Sequence, residues 1–125
     1  MDENKLSYVI IKCAIEVHRE LGCGLLESVY EEALAHELTQ AGLTVSRQKS
    51  VPVIYKGIRL ASVLRLDMLV NESVIIECKS CVENNPYFEA QCLTYLRLSG
   101  LKLGLVINFG KYLLHHGVNR VANNL

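Results

Sequence analysis

Over residues 4–21, Leu6, Val9, Ile10, Cys13, Ala14, Val17 and Leu21 recur at three- and four-residue spacing, which predicts an amphipathic helix. Gly22 and Gly24 end it, because glycine is favoured just past a helix terminus. A second helix is predicted over 25–41, with Leu26, Val29, Tyr30, Ala33, Leu34 and Leu38 on its apolar side and Gly42 as its stop. The period then changes from 3.6 to two. Residues 44–56 and 58–70 read as strands of a hairpin turning at Lys56-Gly57. Pro52 points to an edge position or a strand start, and the long second strand is expected to bend or bulge around Ala61-Ser62. A polar turn at Asn71, Glu72 and Ser73 leads to a third strand ending at Lys79. Asn84, Asn85 and Pro86 announce a helix over 87–98, which Gly100 closes. Leu101 to Asn108 reads as a buried strand, and Tyr112 to Leu114 as a short one before a polar tail. This order predicts an α/β fold flanked by helices. Its mixed central sheet combines an antiparallel meander with a parallel strand reached through a crossover helix.

Alternation sorts the two central strands into faces. Leu64, Leu66, Met68 and Val70 share one face, with Arg65, Asp67 and Leu69 on the other. Val74, Ile76 and Cys78 likewise oppose Ile75, Glu77 and Lys79. Asp67 is thereby expected opposite a Glu and a Lys spaced i, i+2 on the neighbouring strand. A bare E-x-K is usually a solvated strand face. Here the Val74-Ile75-Ile76 run implies burial, where unpaired charge costs several kcal/mol. Two close carboxylates repel unless a cation sits between them. Such oxygen donors suit Mg²⁺ or Mn²⁺, which bind through one or two carboxylates plus water and phosphate. A lysine beside them serves as a point charge for phosphate. The set fits phosphodiester hydrolysis.

Composition narrows the setting. The 125 residues suit one domain, 1–125, able to build its own core. Formal net charge is zero, which weighs against a dedicated duplex-DNA binder with a basic surface, although local clustering matters more than the total. No secretory signal pattern or run of membrane-spanning length is present, so a cytoplasmic protein without membrane attachment is expected. Five scattered cysteines fit reduced thiols. The lone Cys78-x-x-Cys81 reads as core or near-core thiols rather than a zinc or redox motif. His18, near the end of the first helix, reads as a capping or packing residue. The His115-His116 pair is a weak chelating signal, since neighbours on a strand point apart.

Two helical pairs add candidates. Glu27 and Tyr30 lie i, i+3 on the second helix, where Gly24 as N-cap would place Glu27 at N3, a position that favours a carboxylate on its own. Gln91 and Tyr95 lie i, i+4 on the third helix and share a face.

The order of elements, with Asp67 followed by Glu77-Cys78-Lys79, resembles the PD-(D/E)XK nuclease superfamily and its restriction-endonuclease-like fold. Gly24, Glu27 and Tyr30 resemble the motif of the GxxExxY proteins. The likeness extends to His18 through Gly22, the Arg65/Asp67 strand, Gln91 through Tyr95, and Val106 through Gly110. The resemblance implies a metal-dependent nuclease acting on nucleic acid, DNA first, with Mg²⁺ or Mn²⁺ as cofactor. It implies Asp67, Glu77 and Glu27 as metal-binding acids and Lys79 as the catalytic lysine. Gln91 and Tyr95, with Tyr30 and Arg65, would be substrate-binding or supporting residues. Leu66 replaces the proline of the superfamily's name, and Cys78 is the middle residue of E-x-K.

Two other functions use the same residues. One is an accessory or interaction protein with a partner that supplies nucleic acid. It would be discriminated by whether Lys111, Arg120 and Arg47/Lys49 gather near Asp67. The other is a nucleotide phosphodiesterase, which a closed cleft would favour. A homodimer would let so small a domain span a duplex.

Overall fold

The computed structural model describes residues 1–125, with elements in the order α1 (Glu3–Leu21), α2 (Glu27–Gln40), β1 (Val45–Tyr55), β2 (Ile58–Val70), β3 (Val74–Lys79), α3 (Pro86–Ser99), β4 (Leu103–Asn108), a 3₁₀ turn (Leu114–Gly117) and β5 (Val118–Ala122). The strands form one sheet in the order β1-β2-β3-β4-β5. β3 and β4 run parallel, and every other neighbouring pair is antiparallel. α3 makes the crossover between the parallel strands. The expected α/β fold with its mixed sheet is what the chain adopts.

Two apolar clusters sandwich the sheet. Leu6, Ile10, Ala14, Val17, Leu34 and Leu38 of α1 and α2 meet Met68, Val70, Ile76, Leu105 and Ile107 on one face. On the other, Cys92 and Leu96 of α3 cover Leu66, Leu69, Ile75 and Val106. β4 is buried along its whole length, as a central strand covered on both faces must be. Gly104 lies where a Cβ would stand 2.4 Å from Cys92 Sγ, so α3 packs hard against β4 there. No helix is long and apolar enough to cross a membrane.

Local chemistry sets the ends of these elements. Asp2 caps α1 by accepting Lys5 N–H at 2.8 Å, and Asn85 caps α3 by accepting Tyr87 N–H at 3.0 Å, with Pro86 at the first position. Lys56 and Gly57 both have positive φ, 49° and 79°, which suits the twist of a two-residue hairpin. Opposite the Pro52–Ile54 segment the register shifts, placing the irregularity in β2 where the bulge is expected. β1 is an edge strand, in keeping with Pro52.

Four expectations change. The short strand over Tyr112–Leu114 is absent, and the last strand lies instead at Val118–Ala122, in the stretch read as a polar tail. As the outermost strand it buries only Val121, so its sequence carries little periodic signal. His115 and His116 sit in the 3₁₀ turn with ring centroids 4.1 Å apart, so they do not point to opposite faces. α2 begins at Glu27 with Leu26 as N-cap, which puts Glu27 at N1 rather than N3. Its buried face is Tyr30, Glu31, Leu34 and Leu38, while Leu26 and Val29 stand exposed. Finally, Leu66 packs with Leu69 on the α3 side, whereas Met68 and Val70 face α1 and α2, so alternation breaks at Asp67.

Candidate active site

That break is where the site is built. The β2–β3 ladder covers Met68↔Ile76 to Val70↔Val74 and goes no further. Beyond it, side chains replace the ladder bonds. Glu77 Oε2 accepts the Asp67 N–H at 2.9 Å, and Asp67 Oδ2 accepts the Cys78 N–H at 2.9 Å. Each carboxylate is thus fixed by the backbone of the opposite strand. Neither Asp67 Oδ1 nor Glu77 Oε1 has a protein partner, and no side-chain oxygen is both buried and unpartnered, so these two oxygens reach the surface.

Both acids hold their protons more tightly than usual. Burial pushes Glu77 up from 4.5 to about 7, with the Asp67 charge adding to it. The Asp67 N–H and Lys79 pull the other way. Asp67 is also raised, first by burial and then by Glu31 and Glu27, against the Cys78 N–H and Lys79. Lys79 therefore acts on both acids electrostatically without forming an ion pair with either. Its Nζ lies 4.7 Å from the centroid of the Phe88 ring on α3, a cation–π contact that steadies the side chain beside the acids.

The other candidates divide into two groups. Glu27 is exposed at the head of α2, close enough to raise the pKa of Asp67 but bonded to nothing. Gln91 and Tyr95 are half-buried on α3, and the Tyr95 hydroxyl is raised by burial and then by the Glu77 charge. Arg65 is exposed on β2, opposite Ser50 and two residues before Asp67. Tyr30 instead belongs to the interior. It is fully buried, stacks on Phe109 at 4.6 Å, donates to Gly22 O at 2.6 Å and accepts Leu25 N–H at 3.1 Å. It holds the turn that delivers Glu27.

Three residues outside the expected set shape the site. Glu31 is 7 % exposed, and its charge raises both Asp67 and Glu77. It accepts from Gln48 Nε2 at 3.0 and 3.2 Å and lies 3.6 Å from Arg47 Nε. Gln48 has φ +50° within β1, between the pairs Arg47↔Met68 and Lys49↔Leu66, so it stands across from Asp67. Asn108, paired with Lys79 in the register, is 1 % exposed. Its Oδ1 accepts the N–H groups of Cys81 and Gly110, each at 2.9 Å, and its Nδ2 donates to Asn84 at 3.0 Å. It anchors the loop after E-x-K. One sequence signal for Glu31 exists: it lies i, i+4 from Glu27, a like-charge pairing that weakens a helix unless the charges serve something else.

The donor set fits a divalent cation. Two carboxylates converge with one oxygen each held and one free, and no protein cation neutralises them within ion-pair distance. No three His, Cys, Asp or Glu side chains converge as a ligand cluster, so water and phosphate oxygens would complete the coordination, as Mg²⁺ prefers. None of the five surface depressions is lined by Asp67, Glu77 or Lys79. Arg120 does not join Arg47. Lys111 donates to Val82 O at 3.2 Å, and Arg120, on the opposite sheet edge, bonds Asn4. His18 Nε2 lies 2.8 Å from Lys111 O, a packing role. Cys78 and Cys92 are buried and all five thiols are free.

A family model described as the PD-(D/E)XK nuclease superfamily matches residues 4–121. No curated protein and no solved structure matches the chain. The chain belongs to the PD-(D/E)XK nuclease superfamily.

Proposed function

We propose that this member of the PD-(D/E)XK nuclease superfamily is an Mg²⁺- or Mn²⁺-dependent nuclease hydrolysing phosphodiester bonds, with DNA as its substrate. The observation that carries the proposal is the crossed pair in which Asp67 and Glu77 each bind the backbone of the other's strand. That arrangement fixes two acids with their free oxygens outward. Two close, largely buried carboxylates are costly without a cation, and joining the strands uses only one oxygen of each.

Asp67 and Glu77 would hold the ion, with Glu27 at the head of α2 as a further acid on the same side. When bound, the ion supplies polarisation of a phosphate oxygen and a lowered pKa for attacking water. The chain's own groups do the rest. Glu77, whose pKa burial raises in the metal-free chain, would meet the ion as the carboxylate. Lys79 meets the negative charge that grows on the phosphate during in-line attack. Gln91 and Tyr95, one turn apart on α3, orient the scissile group, and Arg65 contacts the strand on its way in. Tyr30 supports Glu27 through the turn at Gly22–Leu25.

Calorimetric titration with Mn²⁺ of wild type and Asp67→Ala, together with plasmid cleavage, tests this. Wild type is expected to bind and cleave, and the variant to lose measurable binding with at least about a 10³-fold loss of cleavage. Equal cleavage by both proteins, or no metal binding by wild type even with an oligonucleotide present, overturns the proposal.

A further inference from the structure

We propose that the β1–β2 hairpin, from Arg47 through its tip at Lys56–Gly57 to Arg65, is an arm that enters the major groove of duplex DNA. It would lead the backbone to the carboxylate pair. The inference rests on the nuclease reading and adds to it the element that holds the substrate.

Charge is the first observation. Arg47, Lys49, Lys56, Arg59 and Arg65 fall in this hairpin, and no Asp or Glu lies between Thr44 and Leu66. Residues 1–43, which form the helical layer over one sheet face, carry eight acids against three Lys and Arg. A net charge of zero therefore hides a cationic ribbon beside an acidic body. Of the five cations only Arg47 has an acid within ion-pair distance, Glu31; the other four have no ion pair.

Shape is the second. β2 pairs with β3 only over Met68–Val70, so the rest of the hairpin pairs only with itself. Ile54, Tyr55 and Ile58 near its tip are all more than half exposed. An isolated two-stranded ribbon is marginally stable, and this one buries little on either face, so folding alone does not account for its length. From Lys49 to Tyr55 it runs about 20 Å. The major groove of B-DNA, about 12 Å wide, admits a two-stranded ribbon, while that of A-form RNA is too narrow to enter.

Edge chemistry decides against a second copy of this chain as the occupant. β1 is a bare sheet edge, but Pro52, the register shift beside it and Lys49 are features that block strand addition. Continuity with the site completes the case, since Arg65 lies two residues before Asp67 on the same strand.

Fluorescence anisotropy with a labelled duplex of about 30 base pairs, in EDTA and from 50 to 200 mM KCl, reads the arm without cleavage. Wild type is expected to bind. Lys49→Ala/Lys56→Ala/Arg59→Ala should bind at least about tenfold more weakly, and its salt slope should fall by about 2 to 3. Lys56→Glu, a single change at the exposed turn, should weaken binding in the same direction if the triple variant folds poorly. Binding by both variants equal to wild type overturns the proposal, as does a wild type that binds no duplex. So does a triple variant that changes only the sedimenting mass, which would assign the ribbon to self-association. Hydrolysis of bis(p-nitrophenyl) phosphate by wild type with Mn²⁺ separates the two readings, because this ester is too small to need an arm. Its absence removes the nuclease reading and leaves the arm standing; its presence beside unaltered duplex binding in the variants removes the arm alone.

Discussion

Asp67 and Glu77 hold each other's strands: the Glu77 carboxylate accepts the Asp67 N–H, and the Asp67 carboxylate accepts the N–H of Cys78, next to Glu77. The sheet's ladder between β2 and β3 ends at Met68↔Ile76, and these bonds take its place. The acids are thus part of the scaffold, and removing either charge is expected to change both stability and activity, two effects that separate experimentally.

The first is a pH dependence of the metal-free protein. Burial lifts Glu77 from 4.5 to about 7 on folding, so the folded state binds the extra proton between those values. Its contribution is fully present below about pH 4.5 and is lost as pH rises through about 7, a change of up to about 3 kcal/mol. Raised Asp67 acts in the same direction. Urea melts in EDTA should show stability falling from pH 5 to pH 8, and Mn²⁺ should offset the fall. Glu77→Gln, which keeps an acceptor for the Asp67 N–H, should flatten the curve.

Lys79 and Glu31 pull the acids in opposite directions, so their variants should move the pH–rate profile oppositely. Lys79→Met should shift the rising limb of cleavage to higher pH and lower kcat by about 10² to 10³-fold. Glu31→Gln should shift that limb to lower pH while retaining most of kcat. A profile that stays fixed in both variants would remove Lys79 and Glu31 from the electrostatics of the site.

Asn108→Ala leaves the Cys81 and Gly110 N–H groups without their acceptor and frees Asn84. Buried hydrogen-bonding groups left unpaired cost about 1–3 kcal/mol each, so a loss of about 3 kcal/mol is expected, or roughly 10 °C in Tm. Differential scanning calorimetry reads it directly. Asn108→Asp keeps the acceptor and should recover part of the loss.

Tyr30→Phe preserves the stack on Phe109 and removes only the hydroxyl between Gly22 O and Leu25 N–H. About 1–2 kcal/mol of stability should go with it. Hydrogen exchange at Leu25 should quicken, and Mn²⁺ affinity should weaken as the turn that carries Glu27 loosens.

Much of this was legible in the sequence, for reasons particular to each element. α1 carries helical periodicity, α3 is announced by Asn85 and Pro86, and β4 is apolar because both its faces are covered. β5 was not legible, because an outer strand that buries only Val121 has no period to read. Strict alternation puts Leu66 on the wrong face, because it assumes a continuous ladder and the ladder ends beside Asp67. Spacing marks Asp67, Glu77 and Lys79, whereas Glu31, next to Glu32 on a helix, has no spacing that ties it to them. Its burial depends on Gln48, whose left-handed backbone no residue type in that stretch announces.

The two amide protons of Asp67 and Cys78 point at carboxylates, where most amides in a sheet interior point at carbonyls. An amide on a carbonyl has an acceptor that does not titrate. These two should change chemical shift and exchange rate whenever the carboxylates gain a proton or an ion. An ¹⁵N-labelled sample would therefore report the state of the site from inside the sheet, with no probe attached and no substrate identified.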